Sequence, residues 1–159
     1  LQYFDPERNE SYTPYVVETS IGLDRMFLAL FSNCLKEETL EDGSERTVLS
    51  LPPALAPVKA AILPLVKKDG LPELAEKIFN DLKFDFNVYY EEKDAIGKRY
   101  RRQDAIGTPY CITVDHDSLK DNTVTLRDRD TMKQERVSIE NLRTIIDEKV
   151  NFRSLLAKL

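Results

Sequence analysis

Three short apolar runs alternate with two helical patterns in the second half of the chain, and this alternation limits the possible folds more than any other feature. The runs VKAAILPL (58–65), FNVYY (86–90) and YCITVD (110–115) have the length and composition of buried strands. Apolar residues recur at helical spacing over 71–82, and a second helix is predicted over 94–106. Strands that alternate with helices favour parallel pairing, because each helix carries the chain back along the sheet.

A hairpin and a last helix complete this pattern. Alternating residues at 123–127 and 135–139 flank the turn at 128–130, which is typical of a β-hairpin. A final amphipathic helix is predicted from residue 142, and its apolar face continues after a shift in phase to Leu159. The order β-α-β-α-β-β-β-α predicts an α/β domain with a five-stranded mixed sheet and packed helices, in which the run 58–65 is central.

The first 47 residues form a separate region. Residues 12–20 are rich in β-forming side chains and predict a strand. After Gly22, apolar residues recur at helical spacing as far as Leu35, and the polar run 37–47 predicts a loop. One strand and one helix are too little to bury the apolar stripe of that helix. We therefore divide the chain into this region, a proline-stiffened linker over 48–57 and the sheet domain over 58–159.

Composition excludes several classes of protein. Hydrophobic residues make up 42% of the chain and charged residues 32%, as in ordinary globular domains. No apolar run approaches the ~18 residues of a membrane span. The first residues lack both the order of a signal peptide and an initiator Met, so we expect a longer parent chain. Cys34 and Cys111 have apolar neighbours and no CxxC spacing, which predicts reduced core thiols and a cytoplasmic setting. The lone His116 is predicted to lie on the surface and not to bind a metal.

A carboxylate and a hydroxyl end the first predicted strand, and an arginine follows in the first turn of the helix. Glu18 and Ser20 are two residues apart, so they share one face of a strand. The carboxylate and hydroxyl suit a small cationic group, and the guanidinium of Arg25 suits a phosphate. A capped helix with surface charges explains the same residues, and physical chemistry alone leaves both interpretations open.

Two clusters of charge lie in the sheet domain. The first is a run of four cations in five residues, Lys98, Arg99, Arg101 and Arg102. These cations cannot share one helical face, so the patch wraps around the helix. With Tyr89 and Tyr90 nearby, the patch combines phosphate binding with ring stacking, as an unpaired RNA loop requires. A solvated helix surface is the alternative. The second cluster, Arg127-Asp128-Arg129, is either a site for a base edge or a plain charged turn. The net charge of −5 argues against a nucleic-acid-binding surface that covers the whole protein, but permits a local patch.

The pattern E-x-S-x-G-x-x-R at Glu18 to Arg25 resembles motif 3 of class II aminoacyl-tRNA synthetases, and its E-x-S form resembles the glycyl enzymes. The similarity covers nearly the whole chain and is closest to bacterial-type homodimeric glycyl-tRNA synthetases. The other stretches that carry it are LQYFDPERNESYTPYV, TVLSLPPALAPVKAAILPL, GKRYRRQDAIGTPYCITVD and NTVTLRDRDTMKQERV. The chain departs from the family pattern at Thr19, where proline is common, and at Ala105, where glutamate is frequent.

The resemblance implies a division of labour along the chain. Residues 1–47 resemble the end of the catalytic domain, where Glu18 and Ser20 bind glycine and Arg25 binds the terminal phosphate of ATP. Residues 58–159 resemble the anticodon-binding domain. There, we expect tRNA(Gly) contacts from Lys98, Arg99, Arg101, Arg102, Arg127, Arg129 and Tyr89. Motifs 1 and 2 of the family are absent, so we expect this chain alone not to activate glycine. The parent is expected to be a cytoplasmic homodimer that uses ATP with Mg²⁺, whose ligands lie outside this chain.

Three alternatives remain. A non-catalytic relative, such as the accessory subunit of mitochondrial DNA polymerase, is disfavoured because it has no need of Glu18, Ser20 and Arg25. A sister synthetase for proline, threonine or histidine is disfavoured by the E-x-S motif and the run TLRDRDTM. An unrelated nucleotide-binding enzyme finds no support, because neither GxGxxG nor GxxxxGK[ST] occurs.

Overall fold

The computed structural model describes residues 1–40 and 42–157, apart from the side chains of Ser154 and Leu155. The elements in chain order are β1 Tyr3–Asp5, β2 Glu10–Tyr12, α1 Leu23–Cys34, β3 Leu35–Thr39, β4 Glu45–Leu49, β5 Ala60–Pro64, α2 Leu71–Leu82, β6 Val88–Tyr90, α3 Ile96–Ile106, β7 Tyr110–Val114, α4 Ser118–Asp121, β8 Thr123–Asp128, β9 Gln134–Ser138, a 3₁₀ turn Ile139–Asn141, α5 Leu142–Val150 and α6 Phe152–Leu156. Leu159, which the sequence assigns to the last apolar face, lies outside the described residues.

The main sheet has five strands in the order β6-β5-β7-β8-β9. Strand β5 pairs in parallel with β6 and β7, whereas β7, β8 and β9 are antiparallel to their neighbours. This confirms the predicted mixed sheet and the hairpin that follows it. The central strand is β7, however, and the run 58–65 supplies β5 beside it. The reason is that α2 carries the chain to one side of β5, and α3 carries it back to the other side.

Helices cover both faces of this sheet. On one face, α2 and α5 pack on Ile62, Ile112 and Leu126, each of which is at most 2% exposed. On the opposite face, Ala61, Leu63 and Cys111 lie beneath the helix α3. All five residues of β5 and all five of β7 are buried, which explains why these strands are continuous apolar runs and not alternating ones.

The N-terminal region differs from its prediction. Residues 13–22 have no regular structure, so the strand predicted over 12–20 is wrong. β1 and β2 pair with each other, and in the described part of the chain no strand pairs with residues 13–20. Side chains that favour strands do not make one where no neighbour accepts the backbone hydrogen bonds. The helix predicted after Gly22 is confirmed as α1.

The polar run 37–47 is not a loop but contributes most of an antiparallel hairpin, β3–β4. In β4, the side chains of Arg46 and Val48 are buried while their neighbours Glu45 and Thr47 are exposed. This is the alternation of a half-buried strand, with a guanidinium at one inward position in place of an apolar group. Because this inward residue is charged, the hydrophobic pattern of the sequence did not predict the strand.

The run 48–57, predicted as a linker, packs against the sheet domain. Val48 is 1% exposed and Ala56 is 2% exposed. The Lys59 ammonium donates hydrogen bonds to the carbonyl oxygens of Pro53 and Ala54, at 3.2 and 2.8 Å. The connection is therefore partly buried, and the hairpin β3–β4 is attached closely to the sheet domain.

We expect Ile112→Ala to lower the free energy of unfolding by about 2–5 kcal/mol, because the change removes buried surface from the central strand and leaves a cavity. The matched control is Ile106→Ala, at a position that is 49% exposed. The control should cost less than about 1 kcal/mol. Urea unfolding followed by circular dichroism measures both values. Equal losses would contradict the position of the core.

Candidate nucleic-acid interface

The carboxyl ends of the parallel strands β5, β6 and β7 open at one edge of the sheet, where ligands bind in many α/β proteins. The Arg99 side chain, 1% exposed, lies under this edge. Its Nη1 donates to the carbonyl oxygens of Pro64 and Glu91, at 2.6 and 3.2 Å, and its Nη2 donates to that of Leu65 at 3.2 Å. Burial lowers the pKa of Arg99, and the Glu91 carboxylate opposes that shift. The structure therefore gives Arg99 the role of joining two loops of the edge, in place of the direct phosphate contact that the sequence suggested.

The other cations of the run differ from Arg99 in their surroundings. Lys98 is exposed on α3. Arg102 is half-exposed and donates to Glu91 Oε1 at 2.7 Å and to Asp94 Oδ2 at 3.0 Å. The hydrogen bond to Glu91, followed by the charges of both carboxylates, raises the pKa of Arg102. Arg101 turns away from this edge and donates to the Glu45 carbonyl oxygen at 2.7 Å. The run is therefore not one continuous basic surface.

Tyr89 and Tyr90 lie on opposite faces of β6. Tyr90 packs edge-to-face on Phe79, with ring centroids 6.3 Å apart, and its hydroxyl donates to Glu92 at 3.0 Å. Burial, together with Glu92, raises the pKa of Tyr90 to about 12. Tyr89 is 44% exposed and pairs in register with Ala61, so it lies on the face that α3 covers. Of the two rings, Tyr89 is the one that a nucleotide base can reach.

The second charged cluster lies inside the domain. The two terminal nitrogens of Arg127, Nη1 and Nη2, donate to the Asp104 carboxylate at 2.8 and 3.0 Å, and the guanidinium lies 4.8 Å from the centre of the Tyr100 ring. Burial by itself lowers the pKa of Arg127, but the hydrogen bonds to Asp104 and the negative charge of that carboxylate together contribute most of an opposing effect that outweighs burial, so the pKa is raised. Arg129, 1% exposed, donates to the carbonyl oxygens of Gly107 and Leu51, each at 2.8 Å. Because both groups are buried and engaged, a base edge does not reach them in this structure.

A buried ion network, which sequence analysis missed, extends from Asp104 to the hairpin β3–β4. Arg46 Nη1 donates to Asp104 Oδ2 at 3.1 Å and to the Arg129 carbonyl oxygen at 3.1 Å. Its Nε and Nη2 contact Glu38 Oε2 at 2.8 and 2.7 Å. Asp104 has no exposed surface, and Arg46 is 4% exposed. Asp104 and Arg129, the partners of Arg46 in the sheet domain, lie 58 and 83 residues away from it in the chain, so no local sequence pattern could reveal them.

The residues expected to bind glycine and ATP lie outside the sheet domain. Glu18 and Ser20 belong to the irregular segment 13–22, and Arg25 lies in the first turn of α1. All three side chains are exposed, so the structure does not enclose them in a pocket. Their roles remain predictions from the motif.

Cysteine and histidine residues carry no further site. Cys34 and Cys111 are free and buried, and burial raises the pKa of Cys111 to about 12. His116 is half-exposed, with Nε2 3.2 Å from Asp69 Oδ2. Among the residues that the structure describes, no group of three or more His, Cys, Asp or Glu side chains could hold a metal ion. None of the described helices combines the length and apolar character that crossing a bilayer requires.

Comparison with known families identifies the class of domain. The family model for the anticodon binding domain matches residues 59–149, which is more than half of the chain. The chain therefore belongs to the anticodon binding domain family. A solved structure with the same fold is the RNA binding domain of threonyl-tRNA synthetase from Cryptosporidium parvum. It has a TM-score of 0.58 and 25% identity, over 64% of this chain and 26% of that one.

Similarity to individual proteins shows which kind of synthetase this chain resembles. The glycine–tRNA ligase of Borrelia hermsii is 55% identical over 129 residues, and that of Clostridium tetani is 57% identical over 129 residues. Each alignment covers 81% of this chain, and 29% and 27% of the respective relative. The chain thus spans less than a third of the length of these relatives. The resemblance to the C-terminal part of glycyl-tRNA synthetases is confirmed, as is the α/β fold expected from it.

We expect Arg127→Met to lower the free energy of unfolding by about 3–5 kcal/mol, because the change removes one partner of a buried ion pair. The matched control is Arg143→Met, which breaks the more exposed ion pair with Asp85. That pair should contribute less than about 1 kcal/mol. Chemical unfolding of the two variants compares the losses, and a similar small loss in both would contradict a structural role for Arg127.

Proposed function

We propose that this chain is the anticodon-binding end of a glycine–tRNA ligase, and that the whole protein attaches glycine to tRNA(Gly) with ATP. The observation that carries the proposal is the 55% and 57% identity to glycine–tRNA ligases. The motif residues Glu18, Ser20 and Arg25 add support, because a protein that only binds RNA has no use for them. The 25% identity to the threonyl enzyme's domain makes a sister synthetase the weaker choice.

We propose that the anticodon loop binds at the carboxyl edge of the parallel strands. Tyr89 offers an exposed ring on which a base stacks, and Lys98 offers an exposed ammonium for a phosphate. Arg102 is less available to a phosphate than Lys98 is, because a phosphate that approaches it must compete with Glu91 and Asp94. Arg99 supports this surface from beneath by holding the two loops in place. An exposed ring on β6 and an exposed cation near the start of α3, the helix that follows the carboxyl end of that strand, support RNA binding by an acidic protein.

The proposed chemistry has two steps. A carboxylate oxygen of glycine attacks the α-phosphorus of ATP, and the bond to pyrophosphate breaks to give glycyl adenylate. The terminal ribose hydroxyl of the tRNA then attacks the glycyl carbonyl carbon, and AMP leaves. Glu18 and Ser20 would hold the glycine ammonium, and Arg25 would bind the terminal phosphate, since a guanidinium fork matches a phosphate well. Mg²⁺, held by residues outside this chain, would balance the phosphate charge. We place this reaction in a cytoplasmic homodimer.

We expect the double variant Tyr89→Ala/Lys98→Ala to weaken binding to the anticodon arm of tRNA(Gly). Loss of one stacked base should cost about 1–3 kcal/mol. Loss of one phosphate contact should lower the slope of log K against log salt by about 0.7–0.9. The control is Lys77→Ala, a lysine on α2 across the sheet, which should leave binding unchanged. Fluorescence titrations at several salt concentrations measure both quantities. Unchanged affinity in the double variant would place the RNA elsewhere.

We expect Arg25→Ala, made in the full-length protein, to abolish glycine-dependent exchange of pyrophosphate into ATP, because the terminal phosphates lose a positive partner. Binding of the anticodon arm should be unaffected, since Arg25 lies outside the sheet domain. Exchange of labelled pyrophosphate measures the first effect. A full-length wild-type protein that binds tRNA but supports no exchange would instead be a non-catalytic relative.

A further inference from the structure

The helix α3 faces the proposed tRNA edge and the hairpin β3–β4 at the same time. Lys98 and Arg102 lie towards the carboxyl edge, whereas Arg101 donates to the Ser44 hydroxyl and the Glu45 carbonyl oxygen of the hairpin, at 3.1 and 2.7 Å. Near the end of the same helix, Asp104 accepts from Arg46 of β4 at 3.1 Å. One short helix therefore contacts both the hairpin and the surface that we assign to RNA.

Further contacts near Asp104 hold the hairpin against the sheet domain. Arg129 donates to the carbonyl oxygen of Leu51, just beyond β4, at 2.8 Å, and Ser50 Oγ lies 2.9 Å from Asp130 Oδ1. Gly107 has φ +86°, and a Cβ atom there would lie 3.0 Å from the carbonyl oxygen of Leu49. Charge, hydrogen bonds and close packing thus hold β4 against the end of α3.

Helix α1 continues directly into this hairpin. β3 starts at Leu35, the residue after the last of α1, and the Ser50 amide donates to the Cys34 carbonyl oxygen at 2.7 Å. Cys34 is buried with Leu49 and Leu51. The end of α1 is thereby fixed to β4, and the orientation of Arg25 at the other end of the helix depends on how β4 is seated.

We propose that Asp104 is a positioning residue: through Arg46, it sets the orientation of the hairpin and of α1, with Arg25, relative to the tRNA-binding edge. This inference rests on the proposed function. It gives this carboxylate, which has no exposed surface, a part in orienting the glycyl adenylate and the tRNA towards each other. Asp104 is suited to this part because it has no exposed surface and joins β4, α3 and β8 at one point.

The mechanical half of the proposal is tested in this chain without any reaction. Arg46→Met keeps the bulk of the side chain and leaves the Asp104–Arg127 pair intact, so the sheet domain stays folded. We expect amide exchange in β3 and β4 to speed up by at least about 100-fold, the population shift expected when a buried ion pair loses one partner. Exchange in β7 should be unchanged. Asp104→Asn should also speed up exchange in the hairpin, but it leaves Arg127 without its partner as well, so its effect should extend into β8. Protection of the hairpin equal to wild type in Arg46→Met would overturn the proposal.

The functional half is tested in the full-length ligase with Arg46→Met. We expect kcat for charging of whole tRNA(Gly) to fall by about tenfold or more, because misplacement of reacting groups slows a step that depends on orientation. KM for tRNA and glycine-dependent pyrophosphate exchange should stay near wild type. Arg46→Lys, which keeps the charge, should recover part of kcat, and Arg143→Met serves as the unaffected control.

The outcomes separate this inference from the proposed function. A wild-type ligase that does not charge tRNA(Gly) would refute the proposed function, while hydrogen exchange would still decide whether Asp104 seats the hairpin. A loosened hairpin with undiminished kcat would overturn the positioning role alone. An equal fall in charging and pyrophosphate exchange would also overturn it, because that result indicates a general loss of structure.

Discussion

The Asp104 carboxylate has no exposed surface and lies between the guanidinium groups of Arg46 and Arg127. An ionised carboxylate is costly to bury unless opposite charge and hydrogen bonds compensate for lost water. Here the compensation comes from two elements that are distant in the chain, β4 and β8. Both guanidinium groups contribute to this compensation, so the hairpin, the helix α3 and the sheet come together at this point. The seating of the N-terminal region on the domain depends on that condition.

The helix α3 shows how the geometry of a helix divides a run of like residues. Successive side chains are about 100° apart around the axis, so four neighbouring cations must enter different surroundings. Lys98 is in solvent, Arg99 lies under the strand ends, Arg101 reaches the hairpin and Arg102 pairs with acidic residues of the loop after β6. A count of cations in the sequence therefore overstates the basic surface of the folded domain.

The sheet domain was predictable because burial on both faces leaves a direct trace in the sequence. The strands β5 and β7 are continuous apolar runs, and the hairpin β8–β9 alternates around a turn. The hairpin β3–β4 was not predictable in the same way, because its inward position 46 carries an arginine. Arg46 can point inward because it pairs with Asp104. Since Asp104 lies 58 residues away in the chain, no local sequence pattern predicts this pair. The predicted strand over 12–20 failed for the converse reason, since its composition was suitable but residues 13–20 have no pairing strand in the described part of the chain.

Buried arginines, such as Arg99 and Arg129, and the exposed Lys98 would together let an acidic protein present the surface that we propose for RNA. A guanidinium has five donors in a planar fork and can serve several carbonyl oxygens at once, whereas an ammonium is compact and strongly hydrated. Arg99 accordingly donates hydrogen bonds to backbone carbonyl oxygens at the end of β5, and Arg129 donates to those of Gly107 and Leu51. Without Arg99, the carbonyl oxygens of Pro64, Leu65 and Glu91 would leave uncompensated partial negative charge at the edge where we propose that a phosphate binds. The buried arginine would therefore favour phosphate binding at the edge that we propose for RNA, without touching the RNA, and the exposed Lys98 would supply the direct contact.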